Sequence, residues 1–203
     1  MGSNRRTVPG ARRASCGVTL IELMIGIVIM AILITVAIPS FSAFMEKTRV
    51  RGAADALSSQ FALARAEAMR TDRTVTLLVD GENGDWCTGA RQFVEAGVVG
   101  ITSATGSASC DCSTKPAECV VAGNQSVVDS GNYPGVLLTK GDGVTAKFDQ
   151  KTGALVDLTT KTLELRSEDS PDRIGLDVVT TPLGHARTCI PAGFASFGGF
   201  DQC

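Results

Sequence analysis

One carboxylate interrupts a long apolar run near the start of the chain. The run covers residues 18–38, contains no Lys or Arg, and holds Glu22 near its N-terminal end. A carboxylate inside a membrane helix costs about 2.5 kcal/mol or more at the helix centre and less near its end, so it usually has a cationic partner. Cleavage after Gly17 would create an N-terminal ammonium on a neighbouring copy or homologue. We therefore expect Glu22 to pair with a charge on another chain.

Six of the seven cysteines follow the apolar run, and only Cys16 precedes it. An even set of cysteines after a membrane signal favours an oxidising compartment and up to three disulfides, with reduced core thiols as the alternative. These six are Cys87, Cys110, Cys112, Cys119, Cys189 and Cys203.

The C-terminal segment, residues 189–203, is rich in Gly and would fray unless it were tied down. Joining Cys189 to Cys203 closes a 15-residue loop and contributes about 3 kcal/mol in the chain-entropy model. We predict this disulfide, with the remaining four cysteines pairing among themselves in an order left open. Three phenylalanines of the segment are expected to be buried on the domain, with a contact surface for another subunit as the alternative. They are Phe194, Phe197 and Phe200.

Residue sets typical of catalysis and of metal binding are missing from the sequence. His185 is the single histidine and no G-x-S-x-G turn is present, so we predict that the protein is not an enzyme and that His185 is an exposed loop residue. Cys110 and Cys112, with Cys119, lack a fourth metal ligand at recognisable spacing. Residues 80–85 lack the Gly and terminal Glu of a calcium loop and are predicted to form a turn. We expect neither a metal nor a cofactor.

The residues that precede the apolar run also differ from the rest of the chain in charge. The net charge is −2, and residues 1–17 contain four arginines and no acid. Removing those four positive charges from −2 leaves −6, which disfavours binding of a polyanion through bulk charge. The arginines of this leader predict a cytoplasmic N-terminus, with the rest of the chain on the other side of a membrane.

Two helical segments are expected in succession. Residues 18–38 can span roughly 30 Å of hydrocarbon and are followed by no good secretory cleavage site, so we predict a retained transmembrane or filament helix. Pro39 is expected to bend or locally melt it. Residues 39–71 continue as an amphipathic helix, because an apolar stripe recurs at helical spacing. The stripe consists of Val50, Ala54, Leu57, Phe61, Ala64 and Ala68.

Residues 72–203 predict a β domain. Residues 148–155 are expected to form a hairpin with Gly153 at positive φ, and residues 81–118 an irregular insertion or only short strands. With no helix predicted between strands, the fold class is α+β, a long N-terminal helix packed on antiparallel sheets or a sandwich. The predicted strands are 74–79, 119–121, 127–129, 136–139, 144–148, 154–158, 162–165 and 174–180.

The segment Gly17-Val18-Thr19-Leu20-Ile21-Glu22-Leu23 resembles the class III signal of type IV pilins and type II secretion pseudopilins. In that superfamily a prepilin peptidase cuts after the Gly and N-methylates the next residue, so the resemblance implies cleavage after Gly17 and methylation of Val18. Val18 stands where Phe is usual, and the 17-residue leader is longer than many. Residues 61–70 with 75–77, 148–153 and 182–189 resemble landmarks of the GspH/FimT (FimU-like) minor pilins.

This resemblance implies a minor pilin that sits in the bacterial inner membrane with a periplasmic β domain and then enters a type IV pilus. It implies a role in priming pilus assembly, with a position at or near the tip. The implied partners are other minor and major pilins, the prepilin peptidase and the inner-membrane assembly platform. A type II secretion minor pseudopilin is the alternative within the superfamily.

A DNA-binding minor pilin in natural transformation is the alternative from another functional class. Some FimT-like relatives bind DNA through a G-R-x-R motif, and the corresponding segment here is Gly184-His185-Ala186-Arg187. His185 replaces the first Arg and removes a dependable phosphate contact at neutral pH. We therefore expect this segment to be the ordinary end of the last strand, with His185 and Arg187 as the residues to test for DNA contact.

Overall fold

The computed structural model describes residues 19–92, 110–196 and 199–203, apart from the side chains of residues 36–40. The chain divides into two units, Met1–Phe41 and Ser42–Cys203. The predicted leader, the cleavage site at Gly17 and Val18, and Cys16 lie outside the described residues. Phe197 does as well.

A single helix, α1, runs from Leu20 to Thr71 and contains 52 residues. It begins with a cap, because the Thr19 hydroxyl accepts a hydrogen bond from the Glu22 backbone N–H at 3.3 Å. The helix assignment continues through position 39, whereas the bend predicted at Pro39 stays a prediction because that side chain is not described. After Thr71 the backbone turns left-handed at Asp72, with φ 51°, which ends the helix.

Within the described residues, no helix combines the length and the apolar character required to cross a membrane. The transmembrane segment expected over residues 18–38 therefore stays a prediction.

The second half of α1 buries one apolar stripe against the β domain. All six stripe residues predicted from the sequence, from Val50 to Ala68, are at most 1% exposed. Phe61 meets the Phe148 ring edge-on, with the ring centroids 6.4 Å apart. The predicted amphipathic helix is confirmed over this segment.

Ten described strands form three antiparallel sheets. The first has the order β5-β2-β1-β7, the second β10-β9-β8-β6, and the third consists of β3 and β4. The strands are β1 Val75–Glu82, β2 Asp85–Gln92, β3 Val120–Val121, β4 Asn124–Gln125, β5 Val127–Asp129, β6 Val136–Lys140, β7 Thr145–Phe148, β8 Lys161–Ser167, β9 Gly175–Thr180 and β10 Ala186–Cys189. Short 3-10 helices cover Pro116–Glu118 and Ser130–Asn132. The predicted α+β class is confirmed.

The two larger sheets are joined at the turn between β1 and β2. Asn83 and Leu138 each donate a backbone N–H to the other's carbonyl, both at 2.8 Å. Asn83 adopts φ 55°, a left-handed conformation that Asn tolerates better than most residues. The turn predicted over residues 80–85 is therefore present, as the tight end of a hairpin.

Two predictions for the β domain are wrong. Residues 81–118 were expected to be irregular or to form only short strands, but β2 pairs with β1 over its full eight residues. The predicted strand 154–158 is absent: Leu155 forms a single bridge to Phe148. Its backbone N–H is instead bonded to the Pro182 carbonyl at 2.9 Å, and Leu158 turns left-handed at φ 51°.

The remaining predicted strands are found, with ends shifted by at most three residues. The turn of the hairpin predicted over residues 148–155 is found, although its second arm is only the single bridge from Phe148 to Leu155. Asp149 donates its backbone N–H to the Ala154 carbonyl at 2.8 Å, and Gly153 has φ 65°.

Candidate functional site

The first part of α1 presents apolar side chains on every side. Consecutive helical residues are rotated by about 100°, so an apolar run with no polar interval covers the whole circumference. Its large apolar residues are between 50% and 79% exposed. They are Leu20, Ile21, Leu23, Met24, Ile25, Ile27, Val28, Ile29, Met30, Ile32, Leu33 and Ile34. A helix that is hydrophobic all round needs apolar surroundings, which the described residues of this chain do not provide.

Glu22 is the acidic residue in the first turn of this apolar segment. A carboxylate there is favoured by the positive end of the helix dipole, and the Thr19 hydroxyl fixes the turn by accepting the Glu22 backbone N–H. No salt bridge joins the Glu22 carboxylate to any described residue. The geometry leaves this charge available to a partner outside the chain.

The second part of α1 is fixed to the β domain by polar contacts that the apolar pattern did not reveal. The buried Gln60 amide donates to the Thr88 carbonyl at 3.3 Å and to the Ser126 carbonyl at 3.2 Å. The Thr88 hydroxyl donates in return to the Gln60 side-chain oxygen. A glutamine beside the apolar stripe was the available sequence signal for this contact.

Arg65 holds together two loops that the family resemblance singled out. Its Nε donates to the Gly153 carbonyl at 3.1 Å. A Cβ added at Gly184 would lie 2.1 Å from that same carbonyl oxygen, so no side chain fits where the two loops meet. The late hairpin and the segment before β10 therefore dock on each other and on the helix.

Four cysteines form a buried cluster beside β2. Cys87 is bonded to Cys112 and Cys110 to Cys119, and each of the four is at most 6% exposed. A Cβ at Gly89 would lie 2.5 Å from the Cys119 sulfur and 2.6 Å from the Cys110 sulfur. The glycine in this strand therefore makes room for the two disulfides.

A third disulfide joins Cys189 to Cys203, the pair expected from the sequence. Beside it, Ile190 donates to the Asp201 carbonyl at 2.8 Å and accepts from the Cys203 N–H at 2.9 Å. These bonds attach the end of the chain to β10.

Two phenylalanines of the C-terminal segment, residues 189–203 (the tail), each contact an arginine side chain. The Arg166 guanidinium lies 4.7 Å from the centre of the Phe194 ring, and that of Arg51 lies 5.4 Å from the Phe200 ring, within the range of cation–π attraction. Both rings are partly buried against the core, as expected for these two residues.

Arg166 is also the centre of a largely buried ion-pair network. Its Nη1 lies 2.9 Å from Asp177 and its Nη2 lies 3.0 Å from Glu164. Burial raises the pKa of Asp177 above its usual value, although the Arg166 bond acts in the opposite direction. The ion pair between Arg166 and Asp177 links β8 to β9, next to the Phe194 ring of the tail.

Three aspartates, Asp111, Asp149 and Asp157, have pKa values lowered by local hydrogen bonds, and two of these values fall to about 2. Hydrogen bonds from Thr114 and then Ser113 lower the pKa of Asp111 to about 2. The Lys161 ammonium and then the Thr159 hydroxyl lower the pKa of Asp157 to about 2. The carboxylates of Asp111 and Asp157 accept hydrogen bonds from threonines two or three residues further along the chain. No histidine is among their hydrogen-bond partners in the described residues.

The histidine and arginine singled out for DNA contact lie at the start of the edge strand β10. His185 is exposed. Its backbone carbonyl accepts a hydrogen bond from the Thr181 N–H, and its own N–H donates to the Thr181 hydroxyl. Arg187 is exposed, pairs with Val179 in the sheet, and forms no salt bridge with a described residue.

A cavity of about 660 Å³ lies beside the Cys87–Cys112 disulfide, with Asp80, Trp86 and Asp129 among its lining residues. No histidine lines it. Across the described residues, no group of three or more His, Cys, Asp or Glu side chains is arranged to hold a metal ion.

Comparison with protein families matches most of the chain. A family model described as Type II transport protein GspH matches residues 53–184. The chain belongs to the GspH family. The model of the prokaryotic N-terminal methylation motif matches residues 12–38 of this GspH-family chain, a segment that includes Gly17, Val18 and Glu22. The pilin or pseudopilin family expected from the sequence is confirmed, and members of this family are structural components that are not known as enzymes.

Two solved structures resemble the GspH-family chain, both of the type IV minor pilin FimU from Pseudomonas aeruginosa. The crystal form in space group P21 is 17% identical, with a TM-score of 0.46, over 71% of this chain and 90% of FimU. The form in space group P65 is 16% identical, with a TM-score of 0.44, over 68% of this chain and 90% of FimU. No curated protein matches the chain.

Proposed function

We propose that the protein is a minor pilin of a type IV pilus, which helps to prime assembly and occupies a position at or near the tip. The observation that carries this proposal is the contrast within α1. Its first part exposes apolar side chains on all sides around one acidic residue, whereas its second part is packed into a β domain. An anchor that needs outside partners, attached to a domain that does not, suits a subunit held in an assembly by its N-terminal helix.

The proposed route begins in the bacterial inner membrane, with the N-terminus cytoplasmic and the β domain periplasmic. A prepilin peptidase cuts between Gly17 and Val18 and methylates Val18, after which the assembly platform passes the subunit into the pilus. The match of residues 12–38 to the methylation motif supports this processing.

Glu22 provides the charge that guides entry into the filament. In an apolar bundle its carboxylate is costly unless a cation offsets the desolvation. The N-terminal ammonium of a neighbouring processed pilin is such a cation. The absence of a salt bridge between Glu22 and any described residue is consistent with a partner on another chain.

The test compares Glu22→Gln with Asp55→Asn, which removes an exposed acid elsewhere on the same helix. Both chains are expressed at native level in the source cells, and intact mass verifies a start at methylated Val18. Glu22→Gln should reach the membrane in normal amount but cross-link less to other pilins and yield fewer pili. Asp55→Asn should match the unmodified chain. Normal piliation with Glu22→Gln would contradict the proposal.

A type II secretion minor pseudopilin is the second candidate, favoured by the description of the matched family as a type II transport protein. The same cross-linking experiment separates the two machines. Capture of pilus subunits supports the first candidate, whereas capture of secretion pseudopilins supports the second.

A further inference from the structure

The two disulfides beside β2 have a crossed connectivity. Along the chain the four cysteines occur in the order Cys87, Cys110, Cys112, Cys119, and the bonds join the first to the third and the second to the fourth. Neither bond joins cysteines that are neighbours in sequence order. The bond between Cys189 and Cys203 differs, because it joins the last two cysteines of the chain.

Four cysteines allow two other pairings, of which the consecutive one is close to the native set in both sequence and space. Pairing Cys87 with Cys110 and Cys112 with Cys119 would close loops two residues shorter than the native ones, so loop-closure entropy does not favour the native set. Side-chain atoms of Cys110, Cys112 and Cys119 all lie within 3.1 Å of one point, the position of a Cβ on Gly89. Exchange between the two pairings therefore requires only local movement.

The order in which the chain is made favours the consecutive pairing. Cys87 and Cys110 enter the oxidising compartment before Cys112 and Cys119, because the chain is synthesised from its N-terminus. An oxidant acting on cysteines as they appear joins Cys87 to Cys110 and then Cys112 to Cys119. Those bonds must be exchanged before the native cluster can form.

We propose that this protein requires a thiol–disulfide isomerase in the compartment where its β domain folds. The proposal rests on the periplasmic location given under Proposed function. The partner is recognised by its chemistry, a low-pKa thiolate that attacks a disulfide reversibly without adding or removing electrons overall. The isomerase must act before folding is complete, since each cysteine of the native cluster is at most 6% exposed.

The exchange balances in three steps. The isomerase thiolate attacks the Cys110 sulfur, which breaks the bond to Cys87 and releases the Cys87 thiolate. That thiolate attacks Cys112, which forms the native bond and releases the Cys119 thiolate. Cys119 then attacks Cys110 in the mixed disulfide, which forms the second native bond and releases the isomerase thiolate. Two disulfides are present in the chain before and after, so no oxidant or reductant is consumed.

The experiment expresses the full chain, with its leader, in matched bacterial hosts that contain or lack a periplasmic thiol–disulfide isomerase. Free thiols are alkylated at lysis, and the purified chain is digested without reduction by two proteases, one that cuts before Asp and one that cuts after Glu. Cleavage after Glu95, before Asp111 and after Glu118 places each of the four cysteines on its own peptide, so each pairing gives a distinct set of masses. Without the isomerase, the Cys87–Cys112 bond should fall several-fold and the Cys87–Cys110 bond should appear.

Two controls isolate the effect of crossing. The double variant Cys110→Ala with Cys119→Ala leaves a single possible pair in the cluster, and its Cys87–Cys112 bond should form equally in both hosts. The Cys189–Cys203 bond should also be equal in both. If that bond is absent in both hosts, the proposed compartment is wrong and the isomerase proposal falls with it.

Two results overturn the proposal while leaving the proposed function intact. One is equal yield of the crossed bonds in the two hosts, which means that the chain reaches them unaided. The other is a pairing other than the crossed one in both hosts, either the consecutive set or Cys87 with Cys119 and Cys110 with Cys112, which means that the chain has no crossed cluster to form.

Discussion

The two parts of α1 have similar secondary structure and opposite surroundings. From Leu20 to Ile34 the large apolar side chains are half or more exposed, whereas the stripe from Val50 to Ala68 is buried. The first part is apolar in every direction, and the second is apolar along one line. The difference teaches that periodic patterning marks a helix whose partner is in the same chain, while an uninterrupted apolar surface marks one whose partner is elsewhere.

Polar contacts in the two parts differ in the same sense. In the first part, the Thr35 hydroxyl donates to the carbonyl of Ile32, within the helix itself, at 2.8 Å. In the second part, Gln60 bonds to β2 and to Ser126. The second part is thus an element of the domain core, and its side chains should determine domain stability.

The largest expected effect is the loss of a core ring. Phe61→Ala should lower the free energy of unfolding of the β domain by about 3–5 kcal/mol, because Phe61 is fully buried against Phe148 and its removal leaves a cavity. Urea unfolding of the full chain in detergent micelles measures this change.

Ile29→Ala is the matched control in the first part of the helix. Ile29 is 52% exposed, so its truncation should leave the unfolding midpoint of the domain unchanged. A comparable loss from both variants would break the comparison, because it would show that residues 20–34 belong to the core of the domain.

The next largest loss of stability is expected from removing a buried hydrogen bond. Gln60→Leu keeps the size of the side chain but removes the acceptor of the Thr88 hydroxyl and the amide donor to the Thr88 carbonyl. The Ser126 carbonyl loses the same amide but keeps the Ala90 N–H. A buried polar group without a bond costs about 1–3 kcal/mol, so the domain should be destabilised by that order. Thr35→Val, a similar exchange in the first part, should have no measurable effect on the same urea transition. Equal stability of Gln60→Leu and the unmodified chain would remove Gln60 as an anchor.

The same contrast explains which elements the sequence could predict. The stripe of α1 was predictable because burial on one side imposes a helical period on its apolar residues. The bond between Cys189 and Cys203 was accessible because a local argument, the fraying of a Gly-rich end, applied to a nearby pair.

Other features could not be predicted from the sequence because they depend on contacts between residues that are far apart along the chain. Gly89 lowers the strand tendency of β2, and its reason is the sulfur cluster formed by cysteines up to thirty residues away. Residues 154–158 have strand-like composition, but the carbonyl of Pro182 takes the backbone N–H of Leu155. The junction of Arg65 with Gly153 and Gly184 likewise depends on the packing of two loops far apart in sequence.

The smallest effect compares two glycines of α1. A Cβ at Gly26 would meet nothing within 4 Å, whereas one at Gly52 would lie 3.3 Å from the Tyr133 ring. Replacing a helical Gly by Ala gains about 1 kcal/mol of intrinsic helix stability. Gly26→Ala should therefore raise the helix content of the full chain on heating in micelles, followed by circular dichroism, without shifting the unfolding of the domain.

For Gly52→Ala the gain in helix stability is opposed by the close contact between the new Cβ and the Tyr133 ring. The Tyr133 ring stacks on Trp86, whose indole N–H is bonded to the Val136 carbonyl at 2.9 Å, so the ring has little freedom to retreat. We expect a net loss of up to about 1 kcal/mol for Gly52→Ala in urea unfolding. In the Tyr133→Ala background the clash is gone, and the same exchange should become stabilising because only the helix term remains. Stabilisation by Gly52→Ala in the unmodified chain would show that the ring yields, and that this contact does not restrict the packing of the helix against the domain.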